Sequence, residues 1–397
     1  MSEFTNTAKN RIGLLNKYML GIIEGGNGAQ LIKVLGIKTE NFIPSDLLGA
    51  FNQLFEANDD LEKMKMASNK LFNILYEILK EYPSLKEKPK SFIDYLKRDN
   101  AIAAQKLKEI KPFIKKVNQK IDKEILVELN QRFSDLEKFT WHYTVKENVL
   151  FPILETNWQE HDCLKLMWSF HDDIRKNFRK TIDLAKIETF DLKAFNKYAS
   201  LLFFNISTII FREEYVLFPL MLETFDENQM DKMLHETSEM TLPFVNIDIA
   251  DLKATSGNKE NKDNYIKFPT GEITVEQAEM VFNHLPVDIT YVDENDEVRY
   301  FSTPKHRIFP RTAAIIGRKI QNCHPPESVG VVDRIVDSFK KGEKEVASFW
   351  IHMGPKYVLI QYFAVHDKEN KYRGVLEVSQ EISEIQEIKG DRRLLDW

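Results

Sequence analysis

Apolar residues recur at helical spacing through roughly the first 245 residues, and after residue 270 they alternate as in strands. Between Ile12 and Tyr82 the helical spacing is interrupted by turn residues such as those at 25–28. This part of the sequence therefore predicts a module of short helices covering residues 1–85.

Four longer helical patterns follow a charged, proline-containing stretch at residues 86–90, which we interpret as a linker. They cover residues 92–117, 121–155, 162–187 and 192–223, and a shorter pattern covers residues 227–240. Long amphipathic helices joined by short turns are typical of an antiparallel four-helix bundle. We place this bundle at residues 90–245.

Residues 246–270 lose this periodicity and become polar, which predicts a second linker. Beyond it, at residues 271–397, the pattern predicts a helix, two strands, a second helix and three further strands. The strands cover residues 287–293, 298–301, 346–353, 357–366 and 372–380. The expected fold class is multidomain, α followed by α+β, and ends in a five-stranded antiparallel sheet with helices across one face.

Composition and charge exclude several classes of protein. A chain of 397 residues with 43% hydrophobic residues and a net charge of −6 has no basic footprint for nucleic acid. Its longest apolar runs are too short to cross a bilayer, and its first nine residues are polar. The two cysteines, Cys163 and Cys323, lie far apart in different predicted domains, which is consistent with a reducing compartment. We expect a soluble, cytoplasmic protein with no membrane span.

One stretch of the predicted bundle nearly repeats 67 residues later: Lys146–Pro152 resembles Glu213–Pro219, and both end in Leu-Phe-Pro. In a His-x-x-x-Glu step the glutamate is the fourth residue after the histidine, which places the two about 40° apart on one helix face, as a di-iron site requires. Here that step is divided between the two copies. The first has His142 and Glu147, and the second has Glu213.

Together with His171-Asp172-Asp173-Ile174-Arg175, this repeat resembles the hemerythrin-like (HHE cation-binding) family over residues 90–245. The resemblance implies a bundle whose inward His and Glu side chains hold iron, often as a di-iron centre that reacts with oxygen or nitric oxide. His142, His171 and Glu213 fall on ligand positions of the family, and Glu147 is a substitute carboxylate.

The sequence departs from the family on the first helix, where relatives place a His followed by a Glu and this chain has Asp94 and Asp99. Three interpretations stay open. In one, Asp94 joins His142, His171 and Glu213 or Glu214 in a reduced site for iron, manganese or zinc. In the second, the bundle holds a full hemerythrin-like di-iron centre. In the third, the site has decayed and both histidines are hydrogen-bonded core residues.

Several strings in the C-terminal part resemble the PAS sensor fold, and specifically the subfamily that carries Asn-Cys-His-Pro-Pro and is fused behind hemerythrin-like bundles. These strings are Leu285–Thr290, Arg307–Thr312, Gln321–Pro326 and Arg392–Asp396. Residues 1–85 resemble the small helical domain of unknown function that precedes these two families. The resemblance to the PAS fold implies a small ligand, haem or flavin held between helices and sheet, or partner binding through the sheet face.

Cys323 and His324 are adjacent and would point in different directions on a strand or a helix, so one metal ion is not expected to use both. His324 is a candidate axial haem ligand or pocket residue, and Cys323 a candidate redox or ligand-binding residue. Alternatively the motif only shapes the turn into the following helix, since Pro325 disfavours helix at His324.

Three functions are consistent with these features. The first is a sensory or regulatory protein that couples a metal-binding bundle to a PAS domain and signals through a protein partner or a PAS homodimer. The second is a non-haem iron protein that reacts with oxygen or nitric oxide or repairs iron centres. The third is a metal-free interaction scaffold. No nucleotide-binding loop or kinase signature identifies an enzyme.

Overall fold

The computed structural model describes residues 2–39, 42–186, 188, 190–248 and 265–390, with backbone alone for residues 2–6. The chain divides into two compact units, Met1–Thr255 and Ser256–Trp397. The first unit is helical and the second contains the sheet. The predicted motif Arg392–Asp396 lies outside the described residues.

The helical unit follows the predicted periodicity closely. Its helices are α1 (Ser2–Ile23), α2 (Gly28–Leu35), α3 (Pro44–Ala57), α4 (Leu61–Glu81), α5 (Phe92–Gln119), α6 (Lys123–Glu137), α7 (Thr140–Val145), α8 (Phe151–Asn157), α9 (Cys163–Leu184), α10 (Leu192–Arg212), α11 (Phe218–Thr224) and α12 (Glu227–Met240). Two π-helical turns, π1 (Lys146–Leu150) and π2 (Glu213–Leu217), join α7 to α8 and α10 to α11.

Several helix starts in this unit coincide with short polar side chains that accept hydrogen bonds from the first backbone N–H groups. Ser91 caps α5, and Asp191 caps α10 by accepting from two N–H groups at 2.9 and 3.0 Å. At α12, Asp226 and Gln229 form a reciprocal capping box. Local sequence therefore defines where these helices begin.

Four helical segments surround the interior of this unit: α5 contacts α6 and α10, and α9 contacts the same two helices. The assignment of these segments to a hemerythrin-like bundle stays a prediction. One continuous hydrophobic core runs from Leu15 to Val245, and α3 and α4 pack against α9 and π2. The predicted boundary near residues 86–90 therefore does not separate two cores.

The second unit contains the predicted five-stranded antiparallel sheet. Its strands are β3 (Asp288–Asp293), β4 (Val298–Phe301), β5 (Val346–Met353), β6 (Lys356–His366) and β7 (Tyr372–Glu381), in the order β4-β3-β7-β6-β5, preceded by a small hairpin of β1 (Tyr265–Phe268) and β2 (Gly271–Thr274). The helices are α13 (Val275–Asn283), α14 (Pro326–Lys340) and α15 (Ser383–Gln386). The central strand is β7, flanked by β3 and β6.

The linker predicted at residues 246–270 is only partly described, because residues 249–264 lie outside the described ranges. Its last part is a strand rather than a loop. Tyr265–Phe268 pairs with Gly271–Thr274, with Phe268 opposite Gly271. Pro269 occupies the second position of the connecting turn, where its fixed φ is favourable. Three apolar residues between polar neighbours were too short a signal to separate this strand from a loop.

Across the ranges described here, no helix is both long enough and apolar enough to span a bilayer.

Candidate functional site

The two copies of the internal repeat adopt the same local structure. In each, a π-helical turn ends at Leu and an α-helix begins at the following Phe-Pro. The N–H of Phe151 bonds to the carbonyl of Lys146, and the N–H of Phe218 to that of Glu213. Proline has no N–H and is tolerated in the first turn of a helix, so the wide π turn accommodates it without a lost bond.

The π turns place Lys146 and Glu213 opposite each other, both with 0% of the side chain exposed. The ammonium of Lys146 bonds to Oε1 of Glu213 and lies 4.9 Å from the centre of the Tyr143 ring. Oε2 accepts from Nδ2 of Asn100 at 3.0 Å and lies 3.4 Å from Nε2 of His142. Burial alone would raise the pKa of Glu213, but Lys146 and His142 outweigh it and hold the pKa far below its usual range.

His142 is oriented by an aspartate of α5. Its Nδ1 lies 2.8 Å from Oδ2 of Asp99, and the other oxygen of Asp99 accepts from the N–H of Phe244 at 3.0 Å. Asp94 does not join this cluster. Its carboxylate accepts from the N–H of Lys90 at 2.8 Å, at the start of α5. The sequence expectation for Asp94 is thus corrected, because Asp99 is the residue of α5 that faces His142.

His171 and Glu147 form a second buried pair beside the first. Nδ1 of His171 donates to Oε1 of Glu147 at 2.8 Å, and Arg175 contacts both carboxylate oxygens at 3.0 and 2.8 Å. The imidazole stacks on Tyr143 with 4.3 Å between ring centres. Burial, followed by the charges of Lys146 and Arg175, lowers the pKa of His171 well below its ordinary value. This imidazole is neutral.

Glu214 is the remaining carboxylate that the sequence analysis proposed as a ligand. It is half-buried, next to Glu213 in π2. Burial and the negative charge of Glu213 raise the pKa of Glu214 to about 6. The hydrogen bonds that His142 and His171 make within the described residues involve Asp99, Glu213 and Glu147.

A metal ion does not fit this cluster as the side chains are arranged. Within the described ranges, no three His, Cys, Asp or Glu side chains converge as metal ligands would. Lys146 already neutralises Glu213, and Arg175 already neutralises Glu147. A divalent ion would need these carboxylates free to coordinate it. The arrangement instead resembles the decayed site that the sequence left open, with cationic side chains balancing the acids.

The neutral state of His171 predicts a pH dependence of stability. Below the unfolded-state pKa near 6.5 the unfolded chain binds a proton that the folded chain does not, so the free energy of unfolding falls as pH drops, by up to about 1.4 kcal/mol per pH unit. In His171→Asn, which keeps a donor toward Glu147, this part of the slope should disappear. Denaturant titrations between pH 5.5 and 7.5 measure it.

The raised pKa of Glu214 changes the free energy of unfolding in the opposite direction. Protonated Glu214 stabilises the folded state, and this stabilisation is lost as pH rises through about 6. Glu214 is present in both wild type and His171→Asn, so the difference between their pH slopes measures the contribution of His171 alone. Equal slopes for wild type and His171→Asn would show that this imidazole is not held neutral.

The sheet unit has a second group of buried charged residues around its central strand. Glu377 of β7 is 7% exposed and lies opposite Thr290 of β3 and Tyr362 of β6. It accepts from Oγ of Ser379 at 3.4 Å. Burial and the charge of Glu377 raise the pKa of Tyr362, while Arg311 opposes this shift. The acid and the guanidinium therefore both lie within electrostatic range of the Tyr362 hydroxyl.

Cys323 and His324 lie at the end of a 3₁₀ turn, Ile320–Cys323, that leads into α14. Nδ1 of His324 donates to the carbonyl of Ile320 at 2.8 Å, and Sγ of Cys323 lies 3.6 Å from the carbonyl of Lys319. Burial lowers the pKa of His324, with Glu377 opposing the shift. These contacts are those of a shaped turn, and a ligand-binding role for both residues stays a prediction.

Several residues of both clusters are absent from the sequence-predicted set: Asp99, Lys146, Arg175, Arg311 and Glu377. The repeat carried one usable signal, because it aligns Lys146 with Glu213 and so pairs opposite charges at equivalent positions. For Glu377 the signal was an acidic residue in the middle of an otherwise apolar strand pattern.

A sequence model of the PAS domain family matches residues 278–383. Among solved structures, the C-terminal domain of a protein from Streptococcus mutans is 30% identical, covers 32% of this chain and 98% of its own, and has a TM-score of 0.31. A sensory box sensor histidine kinase from Vibrio cholerae is 13% identical, covers 27% and 89%, and has a TM-score of 0.21.

A PAS domain from Colwellia psychrerythraea is 13% identical, covers 28% of this chain and 98% of its own, and has a TM-score of 0.22. No curated protein matches the chain. The family match spans α14 and all five strands of the main sheet, and begins within α13. The C-terminal part of this chain, over residues 278–383, is therefore a PAS domain, which is consistent with a sensory role.

Proposed function

We propose that this chain is a sensory protein whose PAS domain receives a small ligand carrying both a cationic and an anionic group. The observation that supports this is that two unlike charges, the buried carboxylate of Glu377 on the central strand and the half-buried guanidinium of Arg311, both lie within electrostatic range of Tyr362 and His324. Nε of Arg311 is buried and has no hydrogen-bond partner among the described residues. The contact of Glu377 with Ser379 is long, at 3.4 Å.

Buried charges are costly unless they are paired and hydrogen-bonded. A ligand with an ammonium and a carboxylate would satisfy Glu377 and Arg311 together, and a free amino acid is the smallest common molecule of this type. Haem, the cofactor raised by the sequence, is a large apolar macrocycle. The charged neighbours of His324, namely Glu377, Arg311 and Arg318, suit a polar ligand better.

A thermal-shift series with the twenty amino acids and the full-length chain tests this proposal. We expect at least one of them to raise the melting temperature of the wild type. Affinity should fall about tenfold or more in Glu377→Gln or Arg311→Met, because each removes a charge-assisted hydrogen bond. Glu369→Gln, in an exposed turn, is the matched control. No shift with any amino acid, or shifts retained in both variants, would refute it.

For the helical unit we propose that the ammonium of Lys146 and the guanidinium of Arg175 supply the positive charge that a metal ion would otherwise supply. This proposal disfavours the iron-dependent alternatives, reaction with oxygen or nitric oxide and repair of iron centres. The signal would leave through a protein partner or a second copy of the chain, as the sequence analysis expects.

A further inference from the structure

Arg212, the last residue of α10, is a buried cation outside both clusters. It is 5% exposed, and its guanidinium lies between two aromatic rings, with its central carbon 4.7 Å from the centre of Phe72 and 4.1 Å from that of Phe170. Phe72 belongs to α4 and Phe170 to α9. The charge is therefore enclosed where α4, α9 and α10 meet.

The hydrogen-bond partners of this guanidinium are neutral. Nη2 donates to Oδ1 of Asn69 at 2.6 Å and to Oγ of Ser68 at 3.4 Å. Nε and Nη1 are buried and have no partner within the described part of the chain. No carboxylate forms an ion pair with Arg212 among the residues described, although guanidinium groups in protein interiors are normally paired. Burial lowers its pKa to about 9, so it stays charged at neutral pH.

Arg212 also lines a cavity of about 40 Å³ with apolar walls. Apart from the two rings that sandwich the guanidinium, the walls include Leu47, Leu48, Phe51, Trp158, Met167 and Leu217. A water molecule needs roughly 10–15 Å³ by this measure, so the cavity accommodates only a few heavy atoms. Its chemistry is therefore that of a small apolar chamber with one unpaired positive charge in its wall.

We propose that this cavity binds a short aliphatic monocarboxylate of about two to four carbon atoms. Its carboxylate accepts hydrogen bonds from the unpaired N–H groups of Arg212, and its alkyl group packs against the apolar wall. Inorganic phosphate or sulfate would leave most of its oxygens facing apolar side chains. A long-chain fatty acid exceeds the volume. This inference does not depend on the function proposed for the PAS domain.

Calorimetric titration of the full-length chain with sodium propionate tests the proposal, with propionamide in sodium chloride of equal ionic strength as the neutral isostere. We expect saturable binding of propionate, no binding of propionamide, and at least tenfold weaker binding of hexanoate. Arg212→Met should abolish propionate binding. Arg132→Met is the matched control and should leave it unchanged, because Arg132 also lies over an aromatic ring but is half-buried and paired with Glu128.

A second variant keeps the charge and removes the space. Leu48 is half-buried in the cavity wall, so Leu48→Phe should fill the cavity at little cost to folding and weaken propionate binding at least tenfold. Circular dichroism establishes that each variant is folded before titration. Equal heats with propionate and propionamide, or undiminished binding in folded Arg212→Met or folded Leu48→Phe, would overturn the assignment.

Discussion

Replacing Lys146 with methionine should lower the free energy of unfolding of the helical unit by about 3–5 kcal/mol. Methionine preserves most of the volume of the lysine stem but leaves the carboxylate of Glu213 in the core without its cation. Asn100 and His142 still contact that carboxylate, but they supply hydrogen bonds rather than a full opposite charge. Denaturant titration followed by the helical circular dichroism signal measures the loss.

The double variant Lys146→Met with Glu213→Gln separates a lost ion pair from a lost packing contact. Glutamine removes the uncompensated charge, so the double variant should recover most of the stability. Lys138→Met is the control, because Lys138 pairs with Asp135 at the surface and 64% of its side chain is exposed. A single Lys146→Met variant as stable as wild type would show that the pair does not balance this core.

Replacing Lys146 with glutamate should convert the cluster into a metal site. The repeat places Lys146 at the position equivalent to Glu213, so the introduced carboxylate would face a second carboxylate with Nε2 of His142 near both. Two carboxylates and an imidazole are ligands that iron, manganese and zinc accept. His171 adds a further imidazole, since its Nε2 is buried without a hydrogen-bond partner in the described structure.

We expect elemental analysis after dialysis to find about one divalent ion per chain in Lys146→Glu and much less in wild type. The variant should unfold more readily than wild type without metal, because two acids then face each other, and should recover when metal is added. Lys146→Gln should gain no metal. One ion per wild-type chain that is lost in His142→Ala and in His171→Ala would refute the role proposed for Lys146.

Periodicity located most secondary structure because buried faces impose it. The helix predicted at residues 227–240 coincides with α12 at both ends, where the Asp226 and Gln229 capping box marks the start. The strands of the main sheet also fall within about one or two residues of their predicted positions, as expected for alternation on a half-buried sheet.

The same periodicity concealed the breaks in the helix predicted at residues 121–155. That segment contains α6, α7, π1 and α8. A single π turn shifts the helical phase by only a fraction of a turn, so apolar spacing barely changes across it. Pro152 was the one residue that indicated the break between π1 and α8. Its equivalent in the repeat, Pro219, lies in the same position after π2.

For the helical cluster, the resemblance of the repeat to the hemerythrin-like family identified His142, His171, Glu147 and Glu213, which the structure places in adjacent buried pairs. It did not identify Lys146, because a lysine in a helical pattern is normally interpreted as a solvated charge. Asp94 and Asp99 differ by five residues, roughly 140° around a helix, so only one of them can face His142. Sequence alone does not set that rotation.

The burial of Lys146 also gives the helical unit a chemical reporter of its own opening. Amine-reactive reagents modify a lysine only when its nitrogen meets solvent, and this one is sealed behind Tyr143 and Glu213. Surface lysines will be labelled quickly, whereas the modification rate of Lys146 follows how often its contact with Glu213, between π1 and π2, opens to solvent. Mass spectrometry of the peptide that contains Lys146 thus measures the rate at which the core of the helical unit opens to solvent, without a probe attached beforehand.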